Sequence, residues 1–284
     1  MAPSPSPSDP NRDFPWWLVA ALALGAFLTW KILSDPIYTQ ILEIVGKGVG
    51  ITIFVTLTAF ALASALGLLL AVCVLSPSLL LRQIARFYIE IVRGIPILVL
   101  LFYIAFVGAP ALVAGWNALA EPLGLDPIRT RDLSLMWRAI LALTIGYAAF
   151  IAEVFRAGIQ AVDRGQIEAA KALGLGPWQR FRHIVFPQAI RMILPPLGND
   201  FIALIKDSAL VSVLGVADIT QMGKVYAAGS FRFFETYNIV AFIYLIMTVG
   251  LSLGLRALER RLRDRTARRN KAGPNAAQHV ELAE

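Results

Sequence analysis

The chain has 284 residues, 57% of them hydrophobic and only 16% charged, with a mean hydropathy of +0.67. That balance excludes an ordinary soluble domain and implies several membrane crossings. A formal charge of +7 and a pI near 9.8 would point to nucleic acid in a soluble protein. Here the arginines cluster between apolar runs and after the last of them, which the positive-inside rule explains with no nucleic-acid partner.

In chain order, residues 1–13 alternate Ser and Pro and are expected to be disordered. Residues 14–33 form a first, uncleaved span whose tryptophans suit the two bilayer interfaces. The mixed stretch 32–47 predicts an interfacial helix and turn. Further spans are expected at 48–75, 87–107, 138–159, 186–205 and 237–255, giving an all-α polytopic membrane protein with six transmembrane helices. Gly94-Ile95-Pro96 should kink the third span. Residues 108–137 read as a loop with a short helix near 111–120. The run 209–216 is too short to cross and is expected to dip back into the membrane. A basic tail follows at 263–284, expected to be disordered. Cys73 stands alone in an apolar run and His183 and His279 are far apart, so no metal site is expected.

The stretch 164–187 is the longest basic and polar interruption of this apolar body. Glu168 to Leu173 are nearly all strong helix formers. Ile167, Ala170 and Leu173 share one face, and Arg164 and Glu168 are an i,i+4 pair of opposite charge. Gly174 supplies a left-handed stop. Pro177 suits the first position of a second short helix, whose apolar side would be Trp178, Phe181 and Val185. The pattern predicts a helix–turn–helix elbow. With six spans, the arginine-rich elbow and the arginine-rich tail fall on one side, the cytoplasmic one.

Ionisable residues at span depth are functional candidates. Glu90 and Arg93, and again Glu153 and Arg156, are spaced i,i+3; Asn199, Asp200, Lys206 and Asp207 crowd the fifth span. One reading is a polar path for a zwitterion, which needs a cation for its carboxylate and an anion for its ammonium. The other is ion pairing that fixes helix packing, or snorkelling at a span end. Aromatics such as Phe102, Tyr103 and Tyr147 read as packing or lipid-facing residues.

The elbow resembles the cytoplasmic coupling loop of permeases of ATP-binding-cassette importers. Glu168, Ala169, Ala170, Gly174, Ile184 and Pro187 stand at that motif's positions, with Phe186 where leucine is usual. Three other stretches are similar to the polar amino acid branch of these permeases, which covers histidine, basic amino acid, glutamine and glutamate importers. They are Ile89 to Phe102, Tyr147 to Ile159, and Pro195 to Ser208. Ile95, Leu100 and Ala209 depart from that pattern by removing polar groups. The resemblance implies a five-helix type I importer core at 48–262, preceded by an additional span. It also implies a bacterial inner-membrane permease for polar amino acids, with both termini cytoplasmic. The partners it implies are a second permease, identical or sister, ABC ATPase subunits, a periplasmic or lipid-anchored substrate-binding protein, and membrane lipid. No cofactor is expected on this chain: it has no Gly-x-x-x-x-Gly-Lys-Ser/Thr loop, so ATP would bind the partner ATPase. Coupling would run through the six motif residues, with Glu168 as the charged anchor. The substrate path would draw on Glu90, Arg93, Glu153, Asn199, Asp200 and Lys206. An ion-coupled secondary transporter using Glu90, Glu153 and Asp200 is the alternative. A membrane enzyme would need a convergent catalytic set that these residues do not offer.

Overall fold

The computed structural model describes residues 16–272, and among them every regular element is helical. The segment 1–13 and the tail beyond 272 lie outside the described residues. The chain opens with α1 (Trp16–Ser34), α2 (Pro36–Gly46) and α3 (Val49–Leu75). Asp35 caps α2 by accepting the Ile37 N–H at 3.0 Å, with Pro36 at the first helical position. The stretch expected as an interfacial helix is helical, and it packs one face against the bundle while Thr39, Gln40 and Glu43 stay exposed. Tyr38, Ile41 and Val45 of α2 are buried in one cluster with Ile239, Val240 and Ile243. Their i, i+3, i+7 spacing gives α2 an apolar stripe, which the structure packs against other helices.

α3 buries Thr52, Val55, Thr56, Ala59, Ala63, Gly67, Ala71 and Val74, one residue per turn down a single face. From Ala59 to Ala71 this face is entirely small, so another helix can approach closely. That helix is α7 (Leu135–Gln160), the centre of the bundle. The approach is tightest at Gly67: a Cβ there would lie 2.9 Å from Ile151 Cγ2 and 3.1 Å from the Ala148 carbonyl oxygen. The opposite side of α3 exposes Leu57, Leu62, Leu69 and Val72, as a lipid-facing surface does.

The third expected span is corrected. It does not run unbroken from 87 to 107, because Ile95 and Pro96 leave helical geometry and separate α4 (Leu79–Gly94) from α5 (Ile97–Tyr103). A π-helical turn at Ile104–Gly108 then joins α5 directly to α6 (Ala109–Ala120). Residues read as loop therefore extend the apolar stretch to Leu123. Pro110 lies within this run without breaking it, and the Ala105 carbonyl five residues earlier accepts instead from Arg138 Nη1 at 3.3 Å. Arg138 ties the following segment down by donating to the carbonyls of Leu133, Thr130 and Ala105.

After α7 come α8 (Arg164–Ala172), α9 (Pro177–Arg180) and α10 (Phe186–Asp207). A 3₁₀ segment, Ser208–Leu214, follows, with Val211, Ser212 and Leu214 buried. Buried in protein, such irregular backbone can sit inside a bundle that lipid surrounds. The last helices are α11 (Ile219–Ser230) and α12 (Phe233–Ala272). α12 continues well past 262, through the first part of the basic run. Four helical stretches among the described residues are long and apolar enough to cross a bilayer: Pro36–Leu75, Ile97–Leu123, Leu135–Gln160 and Phe233–Ala257.

Candidate functional site

The elbow is built by its caps. Asp163 accepts the Gln166 N–H at 3.1 Å and starts α8. At its end Gly174 takes φ +77°, while the N–H groups of Gly174 and Leu175 donate to the carbonyls of Lys171 and Ala170 at 3.0 and 3.1 Å. This paired arrangement satisfies carbonyls that the helix end would leave open, and it needs a residue free to enter the left-handed region. Gln179 Oε1 then accepts the Gly176 N–H at 2.9 Å and opens α9. A π-helical turn, Phe181–Val185, leads from α9 into α10 without a break. The second short helix is therefore the start of the next long one. Gln188 Nε2 on α10 donates to Gln166 Oε1 on α8 at 2.6 Å, so the two arms are tied together.

Of the six motif residues, Ala170 is buried and Ile184 and Pro187 are half-buried, whereas Glu168, Ala169 and Gly174 are exposed. Ile167 packs towards Val162, Ala189 and Ile193 as its face predicts. Leu173 does not share that side. As the capping residue it has left helical geometry, and it stands 81% exposed. Trp178 and Phe181 do lie together, with ring centroids 5.8 Å apart, and Phe186 continues the row at 6.0 Å. They face outward rather than into the chain, Trp178 at 67% exposure. Arg164 and Glu168 form no ion pair; the one among the described residues joins Arg156 to Glu153.

A second site lies where the break after α4 meets α7 and α10. A cleft of about 550 Å³ is lined by Arg93, Gly94, Ile95, Pro96 and Ile97 from the break, by Tyr147 and Phe150 of α7, and by Asp200, Ala203 and Asp207 of α10, among others. The guanidinium of Arg93 lies 5.5 Å from the centre of the Phe150 ring and makes no ion pair. Tyr147 donates its hydroxyl to Asp207 Oδ2 at 2.7 Å. Asp200 Oδ2 is shielded from solvent and has no hydrogen-bond partner, an unusual state for a carboxylate oxygen. One cation, two carboxylates and a phenol thus converge on a largely apolar recess.

Of the residues expected on a substrate path, the structure brings Arg93 and Asp200 together here. Glu90, Asn199 and Lys206 are exposed and do not line the cleft; Glu90 in particular is not buried as its place in a span suggested. Glu153 is bound to Arg156 through its Oε2, at 2.9 Å from Nε and 2.6 Å from Nη2, and Arg156 also reaches Gln160 Oε1 at 2.6 Å. Asp207, one of the charges crowding the fifth span in the sequence, joins Arg93 and Asp200 in the cleft, and Tyr147 is the polar cleft residue that the sequence pattern hides. Tyr147 was read as packing because an apolar run hides its hydroxyl's purpose. A tyrosine near full burial must pair that hydroxyl, which was the available signal.

The arrangement defines a class: a helical membrane protein with a capped, exposed aromatic elbow and a charged cleft at a broken helix. Residues 63–265 match the family described as binding-protein-dependent transport system inner membrane component, and the chain belongs to that family. It is similar to the probable amino-acid permease protein YxeN of Bacillus subtilis (strain 168), at 36% identity over 80% of this chain and 92% of that one. Similarity to the glutamine transport system permease protein GlnP of Escherichia coli (strain K12) is also 36%, over 76% of this chain and 92% of the relative. Among solved structures, one described as an amino acid ABC transporter with histidines superposes with a TM-score of 0.66 at 37% identity, covering 81% of this chain and 98% of that one. The MetNI methionine ABC transporter, at 22% identity and a TM-score of 0.58, shares the fold. The chain is thus a permease component of the ABC importer type, the non-catalytic transmembrane part of such systems. The ion-coupled alternative finds no support in these relatives.

Proposed function

We propose that this chain conducts amino acids inward through the cleft at Arg93, Tyr147, Asp200 and Asp207, driven by ATP hydrolysed on a separate subunit that docks on the 164–187 elbow. The observation that carries the docking role is the exposed row of Trp178, Phe181 and Phe186, with Leu173 also exposed, on a segment rich in charge. Exposed aromatics on a rigid, capped turn fit an interface better than open water. Glu168 stands exposed on α8 of the same elbow as a partner for an ATPase cation, with Ala169, Ala170, Gly174, Ile184 and Pro187 shaping the turn. A second permease copy, identical or sister, and an external substrate-binding protein complete the importer.

Reconstitution tests this directly. With an ATPase subunit and a binding protein from the same operon, proteoliposomes should take up radiolabelled amino acid only when ATP is supplied. Uptake by the purified chain alone under a proton or sodium gradient would overturn the proposal.

Six crossings are proposed, α1 and α10 joining the four apolar stretches. α10 has 22 residues, about 33 Å at 1.5 Å per residue, enough to span despite its charges. From the elbow, α10 and α12 make two crossings, so elbow and basic tail share the cytoplasmic side. Cysteines placed at Gln179 and Asn270 in a Cys73→Ala background should resist an impermeant thiol reagent in intact cells and react in inverted vesicles. Labelling of either from outside would refute this orientation.

A further inference from the structure

The charges around the cleft do not sum to zero, and we propose that it selects an amino acid of net positive charge over a neutral or acidic one. This rests on the reading of the cleft as the substrate path. Its charged lining is Arg93 against Asp200 and Asp207, an excess of one negative charge. The adjacent Lys206 is exposed and outside the lining, so it does not supply the missing cation. Arg93 is unpaired and can take a substrate carboxylate in a two-pronged contact. Asp200 Oδ2 lacks any donor and suits the α-ammonium group. Those two contacts consume the zwitterion common to all amino acids.

Asp207 remains. It accepts one hydrogen bond, from Tyr147, whereas a carboxylate offers about four acceptor positions. A neutral side chain would leave this charge in an apolar recess without a counter-ion, and an acidic one would add a second negative charge. Both are costly where water is scarce. A guanidinium or ammonium at the end of a side chain would neutralise the set. The surrounding side chains of Val92, Ile95, Ile97 and Leu100 add methylene contacts for its stem.

The test uses the detergent-purified permease–ATPase complex and three radiolabelled probes: L-arginine, its neutral isostere L-citrulline, and L-glutamate. Arginine is expected to bind about tenfold more tightly than citrulline, as one recovered charge-assisted contact implies, with glutamate weakest. Asp207→Asn keeps an oxygen to accept the Tyr147 hydroxyl while removing the charge. It should bring the arginine-to-citrulline ratio close to one by weakening arginine, while an unchanged melting temperature of the complex reports a folded cleft. Equal affinity for arginine and citrulline in the unaltered complex, or an unchanged ratio in Asp207→Asn, would overturn the charge selection while leaving the cleft as the substrate path. Failure of all three probes to bind a complex that still hydrolyses ATP would overturn both.

Discussion

Replacing Gly174 with valine is expected to uncouple the permease while leaving it inserted. At φ +77° the residue lies in the left-handed region, where a β-branched side chain costs about 1–2 kcal/mol. A Cβ at this position would meet no atom within 4 Å, so the effect is one of backbone strain and not of collision. A bias of that size shifts the population of the native turn by a factor of about 5–30. The two hydrogen bonds from Gly174 and Leu175 to the α8 carbonyls would be lost with it, and α9 with its exposed Trp178 would no longer be held in one orientation to α8. Membrane insertion does not depend on this turn. Substrate-stimulated ATP hydrolysis and uptake in proteoliposomes should therefore both fall about tenfold, with normal amounts of chain in the membrane. Asparagine, which tolerates the left-handed region better than other non-glycine residues, should retain most activity at the same site. Full coupling in Gly174→Val would mean that the elbow is a surface loop with no mechanical part in transport.

Asp200→Asn is expected to move stability and transport in opposite directions. The Oδ2 atom of Asp200 is shielded and unpartnered, so the folded protein bears the cost of desolvating it, about 1–3 kcal/mol for such a group. An uncharged amide lowers that cost, and the melting temperature of the purified complex should hold or rise. If the same oxygen receives the substrate ammonium beside Arg93, losing a charge-assisted contact worth about 1.5–3 kcal/mol should cut uptake about 10–100-fold. A structural role for Asp200 would instead lower the melting temperature, with uptake falling only in proportion to the folded fraction. Measuring thermal stability and initial uptake rate on one preparation separates the two.

The fold class, the family resemblance and the elbow were legible in the linear sequence because each rests on local rules. Hydropathy over some twenty residues marks a membrane helix whatever surrounds it. A glycine after an alanine-rich helix, with a proline three positions on, caps and restarts a helix through contacts within a few residues, and Gly174 and Pro177 sit as that rule requires. Where α2 went was decided by tertiary packing. Its apolar stripe of Tyr38, Ile41 and Val45 is equally suited to a membrane surface or a helical neighbour, and α11 and α12, some two hundred residues later, make it a core element. The third span was misplaced because Ile95-Pro96 was read as a kink, whereas the structure makes it a break and rebuilds the apolar stretch from Ile97.

The cleft was the least legible part. Arg93 was named beside Glu90 and Asp200 beside Asn199, because charges at helical spacing are natural partners on one helix. Yet Arg93 turns to Phe150, and Asp207 to Tyr147 sixty residues away. Sequence spacing determines which side chains share a helix face. It does not determine which faces meet, since that depends on the closeness that small residues such as Ala63 and Gly67 permit between α3 and α7. The types of charge available for transport were therefore written in the chain, while their convergence on one recess belongs to the packed bundle.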